Sequence, residues 1–314
     1  MMIKKVNRKT SSSLGTAYSI ISMAMIVCVF AFILSVIFYH GWDTLSWKFL
    51  ISEPDPSALD AESGGILTPI IGTTLLTIIG IMVAFPFALS TAVFLVFYSR
   101  KGIFKTLVKG AVDILSGVPT IVIALFALAI FTQPYMSFLS TAIEGVEGTN
   151  RAYGRSFLVG GITMAIMILP FVIKSIEEAL RSVPSSYIDA SYALGANKWR
   201  TISRVVIGSA RDGIVTGTIL GMGRIIGDTA IVWLTLGGSI RMTGMQPWYS
   251  PENWMSTLKN AGCTLTSYIY FTSPAGEGNS LGVAFGASII LILIIIVLNL
   301  AATFLGNLGG NRHE

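Results

Sequence analysis

Two charged side chains, Arg224 and Asp228, stand four residues apart inside an otherwise apolar run, 213–240. A charge at the centre of a bilayer costs roughly 2.5–3.5 kcal/mol on insertion scales, so each needs a reason to be there. On one helix face the two are close enough to pair, and a self-neutralising structural contact is the plain reading. The chemical reading is that the Arg224 guanidinium offers a fork of donors to an oxyanion. Asp228 would accept a hydrogen bond from an anion that still carries a proton and repel one that carries none. Little else in the chain could do chemistry. Two histidines (His40, His313) and two cysteines (Cys28, Cys263), with no CxxC, leave nucleophilic triads, metal centres and disulfide frameworks without parts. No G-x-x-x-x-G-K-[ST] occurs, nor any Gly-Lys dipeptide, so there is no P-loop to hold ATP. Energy must come from another polypeptide or from an ion gradient.

The elements that position these residues follow from charge spacing. Charged residues make up 12% of the 314, against roughly 25% in soluble chains, and the mean hydropathy is +0.73. A water-soluble globule and a disordered chain are both excluded, and 21 basic residues so diluted build no face for nucleic acid. A bilayer core needs about 20 apolar residues of helix, which predicts six spans. They lie at 20–39, within 63–99 with a kink at Pro86, within 114–143, at 156–172, at 213–240 and at 280–305. The first is too long for a signal-peptide core and is read as a retained anchor. The chain then divides into a basic tail (1–13), a first transmembrane helix (14–39), an external loop (40–65), a core of five further spans (66–305) and a short tail (306–314).

Six spans put both termini on one side, and fifteen of the 21 basic residues fall on that side, which makes it cytoplasmic. The longest cytoplasmic interruption contains a short helix: Pro184 ends what precedes it, Ser186 is an N-cap with Asp189 three residues on, and Gly195 is a left-handed stop. Apolar knobs beside Lys198, Trp199 and Arg200 suit either a groove on a partner or an interfacial helix on lipid. Glycines at 213, 217 and 221 allow a neighbouring helix to approach closely. The aromatic-rich loop 241–279 is read as an interfacial or re-entrant piece.

Two motifs carry a family resemblance. Asp189-Ala190-Ser191, Gly195 and Val205-Val206-Ile207-Gly208 resemble the E-A-A-x3-G-x9-I-x-L-P loop of ABC importer permeases, with Asp, Ser, Val, Ile and Gly at five positions of the pattern. Arg224-Ile225-Ile226-Gly227-Asp228-Thr229-Ala230 resembles the R-x-x-G-E-T-A signature of phosphate permeases of the Pst import system. Gly64-Gly65-Ile66, Gly72-Thr73-Thr74-Leu75 and Ser116-Gly117-Val118-Pro119-Thr120-Ile121-Val122 agree with it, over residues 60–305. The ending favours the PstA-like subunit.

The resemblance implies an all-α polytopic fold of the ABC importer permease (MetI-like) type and a role as the permease of an ATP-driven phosphate importer. It implies that Arg224, Asp228 and Thr229 lie on the phosphate path, and that Asp189, Ala190 and Gly195, in a coupling loop spanning 180–208, dock an ATPase. The implied partners are an ATPase subunit pair, a second, PstC-like permease, an extracytoplasmic phosphate-binding protein and membrane lipid. No cofactor would be bound by this chain, ATP being used by the partner, and the place would be a bacterial or archaeal inner membrane. An importer of another oxyanion, phosphonate or sulfate, is the near alternative. An ion-coupled secondary transporter would want more buried carboxylates and inverted repeats, which are not evident. An intramembrane enzyme lacks a second buried acid or a Ser/His pair.

Overall fold

The computed structural model describes residues 8–55, 64–99, 102–143, 151–238, 250–276, 278 and 280–310. Lys4, Lys5, Asp60, Glu62, Arg100, Lys101, Glu144, Glu147, Arg241, Trp248, Tyr249 and Arg312 lie outside them. In chain order the helices are α1 (Arg8–Gly41), α2 (Trp47–Ile51), α3 (Leu67–Val93), α4 (Ile103–Gly117), α5 (Thr120–Phe131), α6 (Phe157–Arg181), α7 (Ser185–Ala193), α8 (Lys198–Arg200) and α9 (Ile207–Ser209). Then come α10 (Arg211–Gly227), α11 (Ala230–Thr235), α12 (Trp254–Lys259), α13 (Leu265–Thr272) and α14 (Leu281–Gly310). A two-residue antiparallel pair, β1 (Ala142–Ile143) with β2 (Arg151–Ala152), closes the loop before α6.

Four of these helices are long and apolar enough to cross a membrane: Gly15–Thr44, Leu67–Tyr98, Phe157–Arg181 and Leu281–Ala301. Two bent helix pairs raise the number to six if each is one span. The expected third span is not one helix. Val118 precedes a proline and is held extended, at φ −74° and ψ 129°, and Pro119 has no N–H to continue the ladder, so α4 and α5 meet at a 103° corner. Pro86 and Pro170, by contrast, sit inside α3 and α6 without ending them, and α6 runs past Lys174 to Arg181.

α3 and α6 form the centre, and α10 packs against both. Small residues set the approach. A Cβ on Gly161 would strike Ile79 of α3, and Cβ atoms on Gly213, Gly217 and Gly221 would strike Ala179, Ser175 and Val172 of α6. The glycine spacing in α10 is therefore explained by antiparallel packing on α6. α13 is a short inward helix whose first four residues, Leu265 to Tyr268, are buried. A reciprocal Thr264/Ser267 cap starts it, and Thr73 Oγ1 of α3 accepts the Leu265 N–H at 2.9 Å. Gly72 lies beneath the Cys263 carbonyl with no room for a side chain. α1 stands apart: it meets the rest mainly along α14, with Gly41 against Phe285 and the His40 ring stacked 5.2 Å from that of Phe285.

Candidate functional site

The 213–240 span is also interrupted. α10 stops at Gly227, Asp228 is extended (φ −83°, ψ 126°), and α11 begins at Ala230. Arg224 and Asp228 thus do not share a helix face, and the one-turn pair expected from their spacing does not form. No ion pair involves Arg224 among the described residues. Asp228 Oδ1 accepts the Ile231 N–H at 2.7 Å and so pins the first turn of α11, while its carbonyl accepts from Thr266 Oγ1 of α13 at 3.4 Å. One carboxylate oxygen expected to face an anion is thereby already engaged by the backbone.

The break separates two hollows. Thr229 lines one of about 590 Å³ together with Trp233, Thr266 and Tyr270. Trp233 packs against Tyr270 and Phe271 with ring centres 5.4 and 4.4 Å apart. Arg224 lines a second hollow of about 200 Å³ with Ser116, Thr120, Phe171 and Lys174. Its guanidinium lies 5.4 Å from the Phe171 ring centre, a cation–π contact worth about 0.5–2 kcal/mol according to how dry the site is. Arg224 itself is exposed on this chain, so its donors face open space. The three sequence-selected residues are adjacent in the chain, yet Arg224 and Thr229 open onto different hollows.

The coupling-loop residues are arranged differently. α7 starts after Pro184, whose carbonyl accepts the Tyr187 N–H, and no side chain caps it. Ser186 lies inside the first turn, so the expected Ser186 cap with Asp189 behind it is absent; Pro184 already presets the dihedral that opens the helix. The far end agrees with expectation. Gly195 has φ +81°, its N–H bonds to Tyr192, and the Ala196 N–H reaches back to Ser191, the paired bonds of a Schellman stop. Asp189, Ala190 and Gly195 are exposed.

Ser191, the departure from the second Ala of the motif, is buried, and its hydroxyl meets Thr201 Oγ1 at 2.9 Å. The following segment, a π-helical stretch Thr201–Val206, walls a groove of about 910 Å³ with Tyr187, Leu194, Arg200 and Arg204. Lys198 ties this loop to the π-helical turn Phe94–Tyr98 that continues α3: Nζ donates to the Phe97 carbonyl at 2.6 Å and lies 4.3 Å from the Tyr98 ring centre.

With this geometry in view, residues 78–308 match the family described as binding-protein-dependent transport system inner membrane component, and the chain belongs to it. It is a multi-pass membrane permease of the ABC importer type. A relative named probable ABC transporter permease protein YqgI, from Bacillus subtilis, is 27% identical over 306 residues, 96% of this chain and 97% of that one. Phosphate transport system permease protein PstA 1 of Mycobacterium tuberculosis is 29% identical over 313 residues, 98% and 92% of the two chains. A chain of the solved bacterial alginate ABC transporter, in complex with an alginate pentasaccharide-bound periplasmic protein, superposes with a TM-score of 0.61 over 95% of this chain and 96% of that one. At 14% identity that likeness concerns the fold.

Sequence reasoning missed Lys174, which counted only as a loop charge because the fourth span was drawn to end before it. The α10 glycines point to it only when their register on α6 is known. Once Gly217 is laid on Ser175 and Gly221 on Val172, Lys174 comes to the same wall as Arg224.

Proposed function

We propose that this chain is a transmembrane subunit of an ATP-driven importer of inorganic phosphate, PstA-like, which forms the translocation path with a second, PstC-like permease chain. One observation carries the reading: an exposed guanidinium without an ion-pair partner among the described residues, at a hollow in the transmembrane core. An arginine fork matches two oxygens of a tetrahedral oxyanion, and an intramembrane charge that faces a cavity is the mark of an ion pathway. The name and full-length match of the mycobacterial relative support phosphate as that anion.

In this reading Arg224, Asp228 and Thr229 line the path. Asp189, Ala190 and Gly195 present the 180–208 loop to one member of an ATPase pair, which alone uses ATP; this chain binds no cofactor. An extracytoplasmic binding protein delivers phosphate to the opposite face. The protein sits in a bacterial or archaeal inner membrane with both termini cytoplasmic: tail 1–13, first span 14–39, external loop 40–65, core 66–305, tail 306–314. Intact-cell labelling of a cysteine placed at position 8 or 312 would overturn that orientation.

Sulfate or a phosphonate is the second reading. The Asp228–Ile231 bond favours it, because a carboxylate with one oxygen engaged is a weaker filter against an unprotonated anion. Isolation of the complex from native membrane followed by uptake into vesicles separates the readings. The expected result is a second permease chain and an ATPase in the complex, with labelled phosphate accumulating on ATP addition and unaffected by equal sulfate. Uptake driven by an ion gradient without any ATPase would refute the importer reading, and competition by sulfate would refute phosphate.

A further inference from the structure

The hollow at Arg224 holds a second cation. Lys174 and Phe171 of α6, Arg224 of α10, Ser116 of the last α4 turn and Thr120 of the first α5 turn line its 200 Å³, and no carboxylate does. That is space for several waters, and so for a hydrated tetrahedral anion. α6 and α10 are antiparallel, and side chains on a helix lean toward its own N-terminus, so Lys174 and Arg224 lean toward each other.

Lys174 is at present held by Asp113, at 2.7 Å, with Ser116 Oγ at 3.4 Å. Asp113 lines a neighbouring hollow of about 260 Å³ with Lys109, Glu177, Glu178 and Arg181, and Lys174 lines both. There Glu177 accepts from Lys109 at 3.2 Å and from Arg181 at 2.7 Å, and the three basic and three acidic side chains balance. Lys174 stands at the boundary between the hollow of Arg224, whose wall carries no carboxylate, and one nearer the coupling loop whose balance includes the Lys174–Asp113 pair. Its pair with Asp113 is exposed on both sides, 47% and 65%, and an ion pair so exposed is weak and exchangeable.

We propose that Lys174 is the second cationic contact of the transported oxyanion: it leaves Asp113 for the anion and takes it over from Arg224 on the way toward the coupling-loop face. A single strong site would hold its ligand, whereas two contacts of moderate strength pass it along. The step is an exchange of ionic partners with no bond made or broken. The inference rests on the oxyanion-path reading of Arg224.

The test uses the complete transporter with its ATPases and binding protein, in vesicles of constant lipid composition. Lys174→Gln should lower the maximal rate of phosphate uptake at least about tenfold with KM changed less than about twofold, and Lys174→Arg should restore about half or more, the pattern of a contact used after binding. A direct readout comes from Ser116→Cys in a chain whose Cys28 and Cys263 are alanine. Saturating inorganic phosphate should slow modification of the introduced thiol by an anionic thiol reagent, in the parent and with Lys174→Arg but not with Lys174→Gln. Since lipid is the same in every arm, protection that appears only with added phosphate reports the soluble anion.

Full uptake by correctly assembled Lys174→Gln, or protection that survives it, overturns the proposal. If Arg224→Gln abolishes transport while Lys174→Gln does not, the path reading stands and this contact falls. If sulfate protects in place of phosphate with the same dependence on Lys174, the contact stands and phosphate falls.

Discussion

The helix break at Asp228 and the loop from Ser185 to Ser209 both carry family motifs, and they use their residues in opposite ways. In the loop the motif residues shape backbone: Gly195 supplies a left-handed stop and Ser191 locks onto Thr201, while exposed side chains such as Tyr187, Leu194 and Arg200 face outward. At the break the acidic motif residue shapes backbone and the basic one is left for chemistry. Asp228 holds the first turn of α11, and Arg224 faces a hollow with no carboxylate on its wall. A motif therefore does not say which of its members does the work; hydrogen bonds do. In each region the shaping residue should respond to substitutions that change geometry, and the working residue to substitutions that change charge.

The largest effect belongs to Arg224→Gln. Losing a charge-assisted contact of about 1.5–3 kcal/mol should cut phosphate uptake by roughly tenfold to a hundredfold while the complex still assembles, as co-purified ATPase would report. Unchanged uptake would remove the contrast at its chemical end. Next is Gly195→Trp. A residue with a side chain pays about 1–2 kcal/mol at that left-handed dihedral, and the indole would stand on the exposed surface. Loss of ATPase from the purified complex is expected; full retention with normal transport would show that this surface docks nothing.

Asp228 tests the division of labour. Asp228→Asn keeps an oxygen for the Ile231 N–H, so thermal stability should hold; the second carboxylate oxygen takes no part in that bond, and the charge lost there should lower uptake several-fold. Asp228→Ala should also lose about 1 kcal/mol of stability with the cap, visible as a lower unfolding temperature. Equal uptake by the Asn variant and the parent would make Asp228 purely structural. The smallest change is Ser191→Ala. Its buried hydroxyl bond is worth about 1 kcal/mol, which should quicken amide exchange in 198–209 with little change in uptake.

Charge spacing was enough to place α1, α3, α14 and the first part of α6, because a long uncharged run admits few alternatives; it ended α6 too early, at Lys174. It failed at 118–119 and at 228, where the chain stays apolar while the helix ends. Composition averages cannot see a corner made by one Val-Pro step, or a carboxylate that prefers a backbone N–H to the guanidinium four residues back. Gly195 was legible because a left-handed stop has a local residue signature. Ser186 misled because Pro184 already performed the start. Gly72 and Thr73 could be quoted as motif but not explained until α13 was found seated on them, 192 residues further along the chain. Lys174 was hidden for a related reason: its neighbours come from α4, α5 and α10, and only tertiary register brings them together.

The tie from Lys198 to the Phe97 carbonyl has a mechanical consequence. Leu67–Tyr98 is one continuous 32-residue helical rod, α3 extended by the π-helical turn Phe94–Tyr98, and is about 48 Å long at 1.5 Å per residue. Lys198 grips one tip, and Thr73, near the other tip, holds the first turn of α13, which in turn touches the carbonyl of Asp228. A stiff rod clamped at both ends does not absorb a push; it relays it. The 198–209 segment is therefore joined to the broken helix by two routes: directly, through Ala210 into α10, and indirectly, through α3 and α13 to the Asp228 carbonyl by way of Thr266, which lines the other hollow.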